Sequence, residues 1–399
     1  MTASLAGKNI VMGITGSIAA FKAAGWVSNL VKEEAQVKVV MTENAARFVT
    51  PLTFASLSGN SVYTDMFQDG EEPMAHIRLG QEVDLFMAAP ATANTIAKLA
   101  RGMADNLLTA SIMAARVPVI ICPAMNSAMY SHPATVKNLG KLKRYNYDLV
   151  EPDTGTLACG QNGPGRLAKW QAVREIMLKH FSVQDLAGKK IVVTAGPTRE
   201  AIDPARFISN LSSGKMGYAI AAEAWRRGGE VVLISGKSCL DIPYGVHAVQ
   251  VGSTEEMYQA VMKHASSYDI MVKTAAVSDF KPAVCRQHKV KKNDAETSLS
   301  LERTPDILQE LGSMKKAGQI LVGFAAESNN HRQEALKKLH KKNLDMIAVN
   351  DIIGQDTGFQ ADNNQLTLLW QDSILDLPHA SKTYIAELLW NKIGEVFLS

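Results

Sequence analysis

The sequence predicts an α/β fold made of two Rossmann-like domains with mainly parallel sheets. Short apolar runs alternate with amphipathic stretches of helical length, which is the pattern of parallel strands joined by helices. The opening "LAGKNIVMGITGS" at 5–17 returns as "LAGKKIVVTAGPT" at 186–198, and 399 residues are too many for one ordinary core. We therefore expect one domain at 1–186 and a second at 187–399, each beginning with the first strand of its own sheet.

In the first half, each predicted strand is an apolar run that a helical pattern follows. The run at 9–16 leads into glycines and then into the helical segment 17–33. Further strands are predicted at 37–42, 83–90 and 117–125, and a second helix at 91–102. The glycine-rich segment "ACGQNGPGRLA" at 158–168 predicts a long loop of the kind that covers a site.

The second half repeats this order of strands and helices. Its strands are predicted at 190–196, 230–236, 270–276, 319–326 and 344–350, and its helices at 215–229 and 331–343. Alternation of this kind favours parallel pairing with helices on both faces of each sheet.

Composition and charge exclude several classes of protein. The formal net charge of +3 predicts no broad positive field for nucleic acid. No apolar run approaches the roughly 18 to 20 residues that span a bilayer, and the N-terminus has no basic and apolar leader, so we expect a cytoplasmic protein without membrane contact. The cysteines lie far apart and form no metal-ligand pattern, which argues against a disulfide framework or structural zinc: Cys122, Cys159, Cys239 and Cys285.

The first predicted strand runs into a candidate phosphate site. Gly13, Gly16 and Ser17 lie where backbone N–H groups and the positive end of a helix dipole meet. The alternative is a plain strand-to-helix turn with a serine cap. The G-x-x-G-S spacing lacks the third glycine of a dinucleotide fingerprint, and Thr42 after the second strand suits a phosphate or hydroxyl contact, so a mononucleotide fits better than NAD.

Three further side chains of this half could take part in chemistry. His76 could accept a proton at neutral pH, although a lone histidine is more often structural or solvated. Asn126 follows an apolar strand at the edge where α/β folds bind ligands, unless it only caps a turn. Cys159 in the glycine-rich segment could supply a proton or a nucleophile, or could be a surface thiol.

Several separated motifs of this half resemble the flavin-dependent cysteine decarboxylases. They are "GSIAAFK" at 16–22, "HIRLG" at 76–80, "APATANTIAKLARGMADNLLT" at 89–109, "PAMNSAMY" at 123–130 and "ACGQNGPGR" at 158–166. The resemblance implies a flavodoxin-like domain, with FMN bound at Ser17, Thr42, Thr92 and Asn94. It also implies that His76 is the base of an oxidative decarboxylation, that Asn126 holds the substrate carboxylate and that Cys159 protonates the enethiol product.

In the second half, the run "TAGPTREAIDPARFISNLSSGKMGYA" carries the clearest anion-binding pattern. It ends at "SSGKMG" before a helix, where Ser212, Ser213 and Gly214 could bind phosphate and where Arg206 and Asn210 could face the same pocket. A capped helix after a long connection is the structural alternative.

Five charged side chains could extend this second site. Asp279 follows an apolar strand, and Lys289 and Lys291 alternate along an extended segment, although charged runs are usually solvated. Lys338 and Lys342 share a helix face, unless Lys338 merely pairs with Glu334.

This half resembles the phosphopantothenate–cysteine ligase half of a bacterial family of bifunctional coenzyme A biosynthesis enzymes. The matching runs include "DPARFISNLSSGKMGYAIA", "AAVSDF", "KVKK", "TPDIL" and "GFAAES", between residue 191 and about 360. The resemblance implies CTP as the nucleotide, in contact with Ala275, Asp279, Lys289, Pro305, Asp306, Ile307, Leu308, Phe324, Lys338 and Lys342. It further implies that Arg206 and Asn210 act on an acyl-cytidylate, while Mg²⁺ and Lys289 neutralise phosphate charge.

Both resemblances together imply a bifunctional enzyme. Its substrates would be 4'-phosphopantothenate, cysteine and CTP, and the ligation product would then be decarboxylated to 4'-phosphopantetheine. Relatives imply a homo-oligomer, a dodecamer through the flavin domain and a dimer through the ligase domain. The alternative interpretations are an NAD-dependent oxidoreductase with two Rossmann-like domains and a non-catalytic flavoprotein or nucleic-acid-binding module.

Overall fold

The computed structural model describes residues 4–67, 74–289, 298–327, 331–351, 360–371 and 373–398. The chain divides into two compact units, which join in the sequence between Phe181 and Ser182. Within the described residues, no helix combines the length and the apolar character that crossing a bilayer requires.

The first unit alternates strands and helices as the sequence predicts. Its elements are β1 Asn9–Ile14, α1 Ala20–Lys32, β2 Gln36–Met41, α2 Glu43–Ala46, α3 Pro51–Ser58, β3 Val62–Tyr63, α4 Ala75–Gln81, β4 Leu85–Ala91, α5 Ala93–Arg101, α6 Leu107–Ala114, β5 Val119–Pro123, α7 Ser127–Ser131, α8 Pro133–Arg144, β6 Asp148–Leu149, β7 Asp153–Thr156, β8 Asn162–Arg166 and α9 Trp170–Phe181.

A six-stranded sheet in the order β3-β2-β1-β4-β5-β6 forms the centre of this unit. Its neighbouring strands all pair in parallel. The strands β4 and β5 are buried along their whole length, which explains why they are continuous apolar runs rather than alternating ones. The carboxyl ends of β1, β4 and β5 therefore share one edge of the sheet.

The glycine-rich segment at 158–168 differs from the predicted loop. Residues 162–166 form β8, which pairs antiparallel with β7 as a separate hairpin. Contacts outside the hairpin hold it, because the Ser127 hydroxyl donates to the Pro164 carbonyl at 2.7 Å and the Met125 N–H donates to the Gly165 carbonyl at 3.0 Å. Composition alone could not reveal these tertiary contacts.

The second unit is a larger version of the same arrangement. Its elements are β9 Lys190–Ala195, β10 Arg199–Asp203, β11 Arg206–Ser209, α10 Lys215–Arg226, β12 Glu230–Ser235, β13 His247–Gln250, α11 Thr254–Met262, β14 Ile270–Lys273, β15 Phe280–Pro282, β16 Leu301–Arg303, α12 Ile307–Met314, β17 Ile320–Glu327, α13 His331–Lys341, β18 Met346–Asp351, β19 Asn363–Asn364, β20 Leu366–Trp370, β21 Ser373–Asp376, β22 Ala380–Ser381 and α14 Lys382–Phe397.

An eight-stranded sheet in the order β13-β12-β9-β14-β17-β18-β20-β21 forms its centre. The strands from β13 to β18 are parallel, and β20 and β21 add an antiparallel edge. One face packs against α10 and α14, where Trp390 is fully buried. The other face packs against α11, α12 and α13.

The repeated opening has the same structure in both units. Gly7 and Gly188 adopt φ angles of +71° and +73°, which a glycine adopts without the steric cost of a side chain. After each turn, the N–H of the first strand residue donates to a carboxylate at 2.7 Å, Asp84 in the first unit and Asp269 in the second. These carboxylates precede β4 and β14, so each opening also fixes the neighbouring strand. The predicted α/β fold with two mainly parallel sheets is confirmed.

Candidate active sites

A cavity of about 540 Å³ lies at the edge of the first sheet where β1, β4 and β5 end. Four of the predicted site residues line it: Ser17, Thr92, Asn126 and Cys159. Apolar side chains cover much of the remaining wall, and Ile18 and Phe21 at its rim are exposed by 57% and 60%. Lys22 and Arg166 add positive charge to the lining.

Thr15, which sequence reasoning missed, joins the first two loops of this cavity. Its buried hydroxyl donates to the Pro90 carbonyl at 2.6 Å, and it accepts the N–H of Thr92 at 3.0 Å. The backbone at Gly16 also lies too close to Asn44 for a side chain to fit, since a Cβ on Gly16 would lie 2.6 Å from the Cβ of Asn44. Thr15 thus fixes Ser17 and Thr92 on one wall, just before the N-terminus of α1.

The hairpin β7–β8 brings Cys159 to Asn126. The Asn126 side-chain N–H group donates to the Cys159 sulfur at 3.3 Å and to the Gln161 side-chain oxygen at 3.2 Å. The Asn126 oxygen accepts the N–H of Ala128 at 2.9 Å, which fixes the orientation of the amide. The result is a thiol and an amide donor side by side at the cavity mouth. Gln161 was not predicted from the sequence.

Glycine at position 165 permits this approach of the hairpin. Its φ is +130°, and a Cβ there would lie 2.2 Å from the carbonyl oxygen of Met125. The "GPG" of the sequence therefore indicates a close contact between two backbones, in addition to a turn.

Three predicted residues of the first unit do not line the cavity. Thr42 stands at the start of α2, with its hydroxyl 3.5 Å from the carbonyl of Ile14. Asn94 is exposed on the first turn of α5. His76 lies on α4, and its buried Nδ1 has no hydrogen-bond partner among the residues the structure describes. Their predicted roles remain predictions.

The second unit has a cavity of about 420 Å³ lined by residues of β14, β17 and β18 and by the start of α10. Nine of the ten residues predicted to bind CTP line it: Ala275, Asp279, Pro305, Asp306, Ile307, Leu308, Phe324, Lys338 and Lys342. Asn210, predicted to act on the acyl-cytidylate, also lines it. Ser212 and Gly214 line it too, directly before the 12-residue helix α10. The amide of Asn210 donates to the Ala276 carbonyl at 3.0 Å, which joins the two loops on either side.

Asp306 and Lys342 form an ion pair in the wall of this cavity. The Lys342 ammonium lies 2.8 Å from one carboxylate oxygen of Asp306, and the Gln309 N–H donates to the other at 3.0 Å. Burial by itself would raise the pKa of Asp306, but these hydrogen bonds hold that pKa below its usual value. Asp306 therefore caps α12 as an anion.

Sequence reasoning missed three lysines of the same lining: Lys215, Lys273 and Lys382. Lys215 donates to Asp362 at 2.6 Å. Burial lowers the pKa of Lys382, and the charge of Lys215 lowers it further. Burial also lowers the pKa of Lys273 to about 8, and the charge of Lys342 adds to that effect. In the sequence, Lys273 could have been recognised as a lysine that ends an otherwise apolar strand.

The expectation that Arg206 faces the same pocket as Asn210 is not met. Arg206 lies on β11, outside the cavity lining, and its guanidinium donates to the buried carboxylate of Asp203 at 2.6 Å. Lys289 is exposed and also lies outside the lining, and Lys291 falls outside the described residues. The alternative for Lys338 was an exposed pair with Glu334; Glu334 pairs with Lys337 at 2.7 Å, and Lys338 lines the cavity.

Comparison with known proteins assigns the two units. Residues 2–182 match the family model "Flavoprotein", and residues 186–397 match "DNA/pantothenate metabolism flavoprotein C-terminal domain". The chain is therefore a flavoprotein domain followed by a pantothenate-metabolism domain.

Relatives extend over nearly the whole chain. The Coenzyme A biosynthesis bifunctional protein CoaBC of Bacillus subtilis is 48% identical over 381 residues, 94% of each chain. The Escherichia coli protein of that name is 42% identical over 395 residues, 98% of this chain and 97% of the relative. A crystal structure of the C-terminal domain of a CoaBC protein is 43% identical, with a TM-score of 0.46, and covers 53% of this chain and 97% of that one.

The chain belongs to the family of coenzyme A biosynthesis bifunctional proteins. It is a bifunctional enzyme, a flavoprotein decarboxylase and a phosphopantothenate–cysteine ligase, and its first domain uses a flavin. The NAD-dependent oxidoreductase and the non-catalytic flavoprotein are not favoured.

Proposed function

We propose that residues 187–399 join 4'-phosphopantothenate to cysteine with CTP, and that residues 1–186 decarboxylate the product with FMN. The final product would be 4'-phosphopantetheine. The observation that carries the proposal is the 3.3 Å contact between Asn126 and the Cys159 thiol, in a cavity beside a glycine loop. A carboxylate binder and a proton donor are what a decarboxylase of a thiol-bearing substrate requires.

The first cavity fits FMN in size and chemistry. Its volume lies in the usual range for a cofactor site, and its apolar wall suits a flavin ring. Ser17, Thr92 and the N-terminus of α1 would bind the phosphate, with Lys22 supplying positive charge. Thr42 and Asn94 are proposed as outer contacts of the same cofactor. Bound FMN would supply a two-electron oxidation of the substrate thiol, which creates an electron sink beside the carboxylate, and would return the two electrons as hydride once carbon dioxide has left.

The side chains of the first unit would then divide the remaining work. Asn126 would hold the substrate carboxylate through its N–H donors, since its oxygen is already used by Ala128. Cys159 would return a proton to the enethiol after carbon dioxide has left. The β7–β8 hairpin would keep water away from the intermediate.

His76 is proposed as the base, and we propose that it acts from a second copy of the chain. Its Nδ1 lacks a partner in the described structure, and it lies outside the lining of the cavity that holds Cys159. The exposed apolar residues Ile18 and Phe21 at that cavity's rim support a subunit contact there. An assembly of this domain as a dodecamer, with ligase domains paired as dimers, belongs to this proposal.

The second cavity would bind CTP. A carboxylate is a poor electrophile, so the carboxylate of 4'-phosphopantothenate would first displace pyrophosphate from the α-phosphate of CTP. The cysteine amine would then attack the acyl carbon of the acyl-cytidylate, and CMP would leave. Lysines are suited to the phosphate charge, and those of this lining support the assignment: Lys215, Lys273, Lys338, Lys342 and Lys382.

Asp279 would bind a ribose hydroxyl, and residues 305–308 with Phe324 and Ala275 would hold the base. Arg206 and Lys289 lie outside the cavity lining, so we propose that they contact the acyl-cytidylate only when substrate is bound or a second subunit completes the site. Asn210 would act on the same intermediate.

Within the described residues, no group of three or more acidic, histidine or cysteine side chains is placed to hold a metal ion. We propose that Mg²⁺ binds chiefly through the phosphates of CTP. A cytoplasmic location belongs to the same proposal, and it is supported by four cysteines that are all free thiols.

The test is to incubate the pure protein with 4'-phosphopantothenate, cysteine, magnesium and either CTP or ATP, and to identify the products by mass. We expect pyrophosphate, CMP and 4'-phosphopantetheine with CTP. Cys159→Ser should stall decarboxylation after carbon dioxide is lost and leave ligation intact, whereas Lys289→Gln should abolish ligation only. Loss of both activities from either folded variant would contradict this division of labour.

A further inference from the structure

Lys273 reaches the second cavity from the centre of the sheet. It is the last residue of β14, and the neighbouring strands present Thr194 and Gly323 beside it. Successive strand side chains alternate between faces, and Met271 belongs to the core that packs against α11, α12 and α13. Lys273 therefore leaves the strand on the face of α12 and α13, where small neighbours give its stem room.

The Lys273 ammonium faces charged groups from two of the elements packed against it and from the loop after its own strand. Asp306 caps α12, Lys342 follows α13, and Asp279 lies after β14. Lys342 has Asp306 as its ion-pair partner. Lys273 is partly buried, and within the described residues no hydrogen bond or ion pair holds its ammonium.

The positive charges of Lys273 and Lys342 repel each other in this arrangement. Two ammonium groups act on each other across the cavity wall, and that repulsion is the second cause, after burial, of the lowered pKa of Lys273. An anion near both cations would relieve the repulsion and replace the water that Lys273 has lost. A nucleoside triphosphate supplies several such charges, and lysine is a usual point-charge binder of phosphate.

We propose that Lys273 is a further nucleotide-binding residue of the ligase site, where its ammonium acts with Lys342 to bind the phosphate chain of the triphosphate. This inference rests on the proposed use of CTP by the second unit. The surroundings of Lys273 argue against a purely structural role, because a buried structural lysine normally has a partner carboxylate at hydrogen-bond distance.

The test compares binding of CMP, CDP and CTP to the full-length protein and its variants by calorimetry. Lys273→Met should weaken CTP binding by about 10- to 100-fold, the range for a lost charge-assisted contact, with a smaller loss for CDP and little for CMP. Lys273→Arg keeps the charge and should stay closer to wild type. Lys337→Met is the matched control, because Lys337 carries the same charge on α13 but lies outside the cavity lining.

Three outcomes would overturn the inference. An equal loss for all three nucleotides would assign Lys273 to the base or ribose, and unchanged affinity would exclude contact. A loss confined to kcat, with a shifted pH profile, would assign it to proton transfer. Circular dichroism checks folding, and Lys273→Gln replaces Lys273→Met if the latter does not fold. If wild type binds ATP and not CTP, the proposed nucleotide is wrong, and the adenine series decides the role of Lys273.

Discussion

The replacement Gly165→Ala tests how the hairpin β7–β8 positions the Cys159 thiol. A Cβ at this position would lie 2.2 Å from the Met125 carbonyl oxygen, whereas separations under 3.0 Å are essentially never adopted by real Cβ atoms. The hairpin must therefore move away from Asn126 by about 1 Å, and a misplacement of that size near reacting atoms costs about 100-fold in rate. The φ of +130° adds backbone strain of order 1–3 kcal/mol.

The assay is the rate of decarboxylation of 4'-phosphopantothenoylcysteine, with flavin absorbance and ligation measured on the same preparation. We expect kcat for decarboxylation to fall about 100-fold, while bound flavin and ligation are retained. Gly59→Ala is the control, because Gly59 has a φ of +69° but open space around the added Cβ. A folded, flavin-bound Gly165→Ala enzyme within about threefold of wild type would refute the positioning argument.

Three further outcomes follow from the contacts of the two cavities. Thr15→Val removes the hydroxyl that joins two loops, so it should destabilise the first unit by about 2–3 kcal/mol and lower the temperature of flavin release, whereas Thr15→Ser should not. Because the pKa of Lys273 is lowered to about 8, its charge reduces the stability of the folded state below pH 8. This loss of stability shrinks as the pH rises and is gone near pH 10.5, the usual pKa of a lysine. Lys273→Met should therefore stabilise the protein at pH 7 by at most about 3 kcal/mol, and urea unfolding should show the gain shrinking between pH 8 and 10.5; a gain independent of pH would contradict this. Added salt should raise the KM for CTP more than that for 4'-phosphopantothenoylcysteine, measured in separate steady-state assays, and equal effects would contradict the assignment of the lysines.

The sequence predicts the longer parallel strands well because each is a local apolar pattern. The strands β9, β12 and β14 fall within predicted runs, and β17 and β18 end one residue beyond theirs, whereas the short parallel strands β3, β6 and β13 were not predicted. The hairpin β7–β8 was missed because its glycines favour a loop, and the contacts that hold it come from Met125, Asn126 and Ser127, more than 30 positions away. Local composition carries no information about such partners.

The same distinction explains which site residues could be predicted. Ser17, Thr92 and Asn210 lie directly after strands or before helices, where the fold class itself indicates ligand binding. The pKa of Lys273 is lowered first by burial and then by the charge of Lys342, and both the burial and the neighbour are set by parts of the chain distant in sequence. Arg206 is close to Asn210 in the sequence, but the buried Asp203 holds its guanidinium outside the cavity lining.

The two cavities differ in the way that the two proposed reactions require. Decarboxylation removes a localised charge from the substrate, and the first cavity joins an apolar wall to one thiol and one amide donor. Activation of a carboxylate by a triphosphate concentrates negative charge, and the second cavity is lined by five lysines. The five lysines of the second cavity suit a triphosphate better than the two cations of the first, Lys22 and Arg166. A cluster of ammonium groups would in turn stabilise a carboxylate that has to leave as carbon dioxide. The repeated opening at Gly7 and Gly188 thus begins two similar sheets, and the residues at their carboxyl edges determine which chemistry each performs.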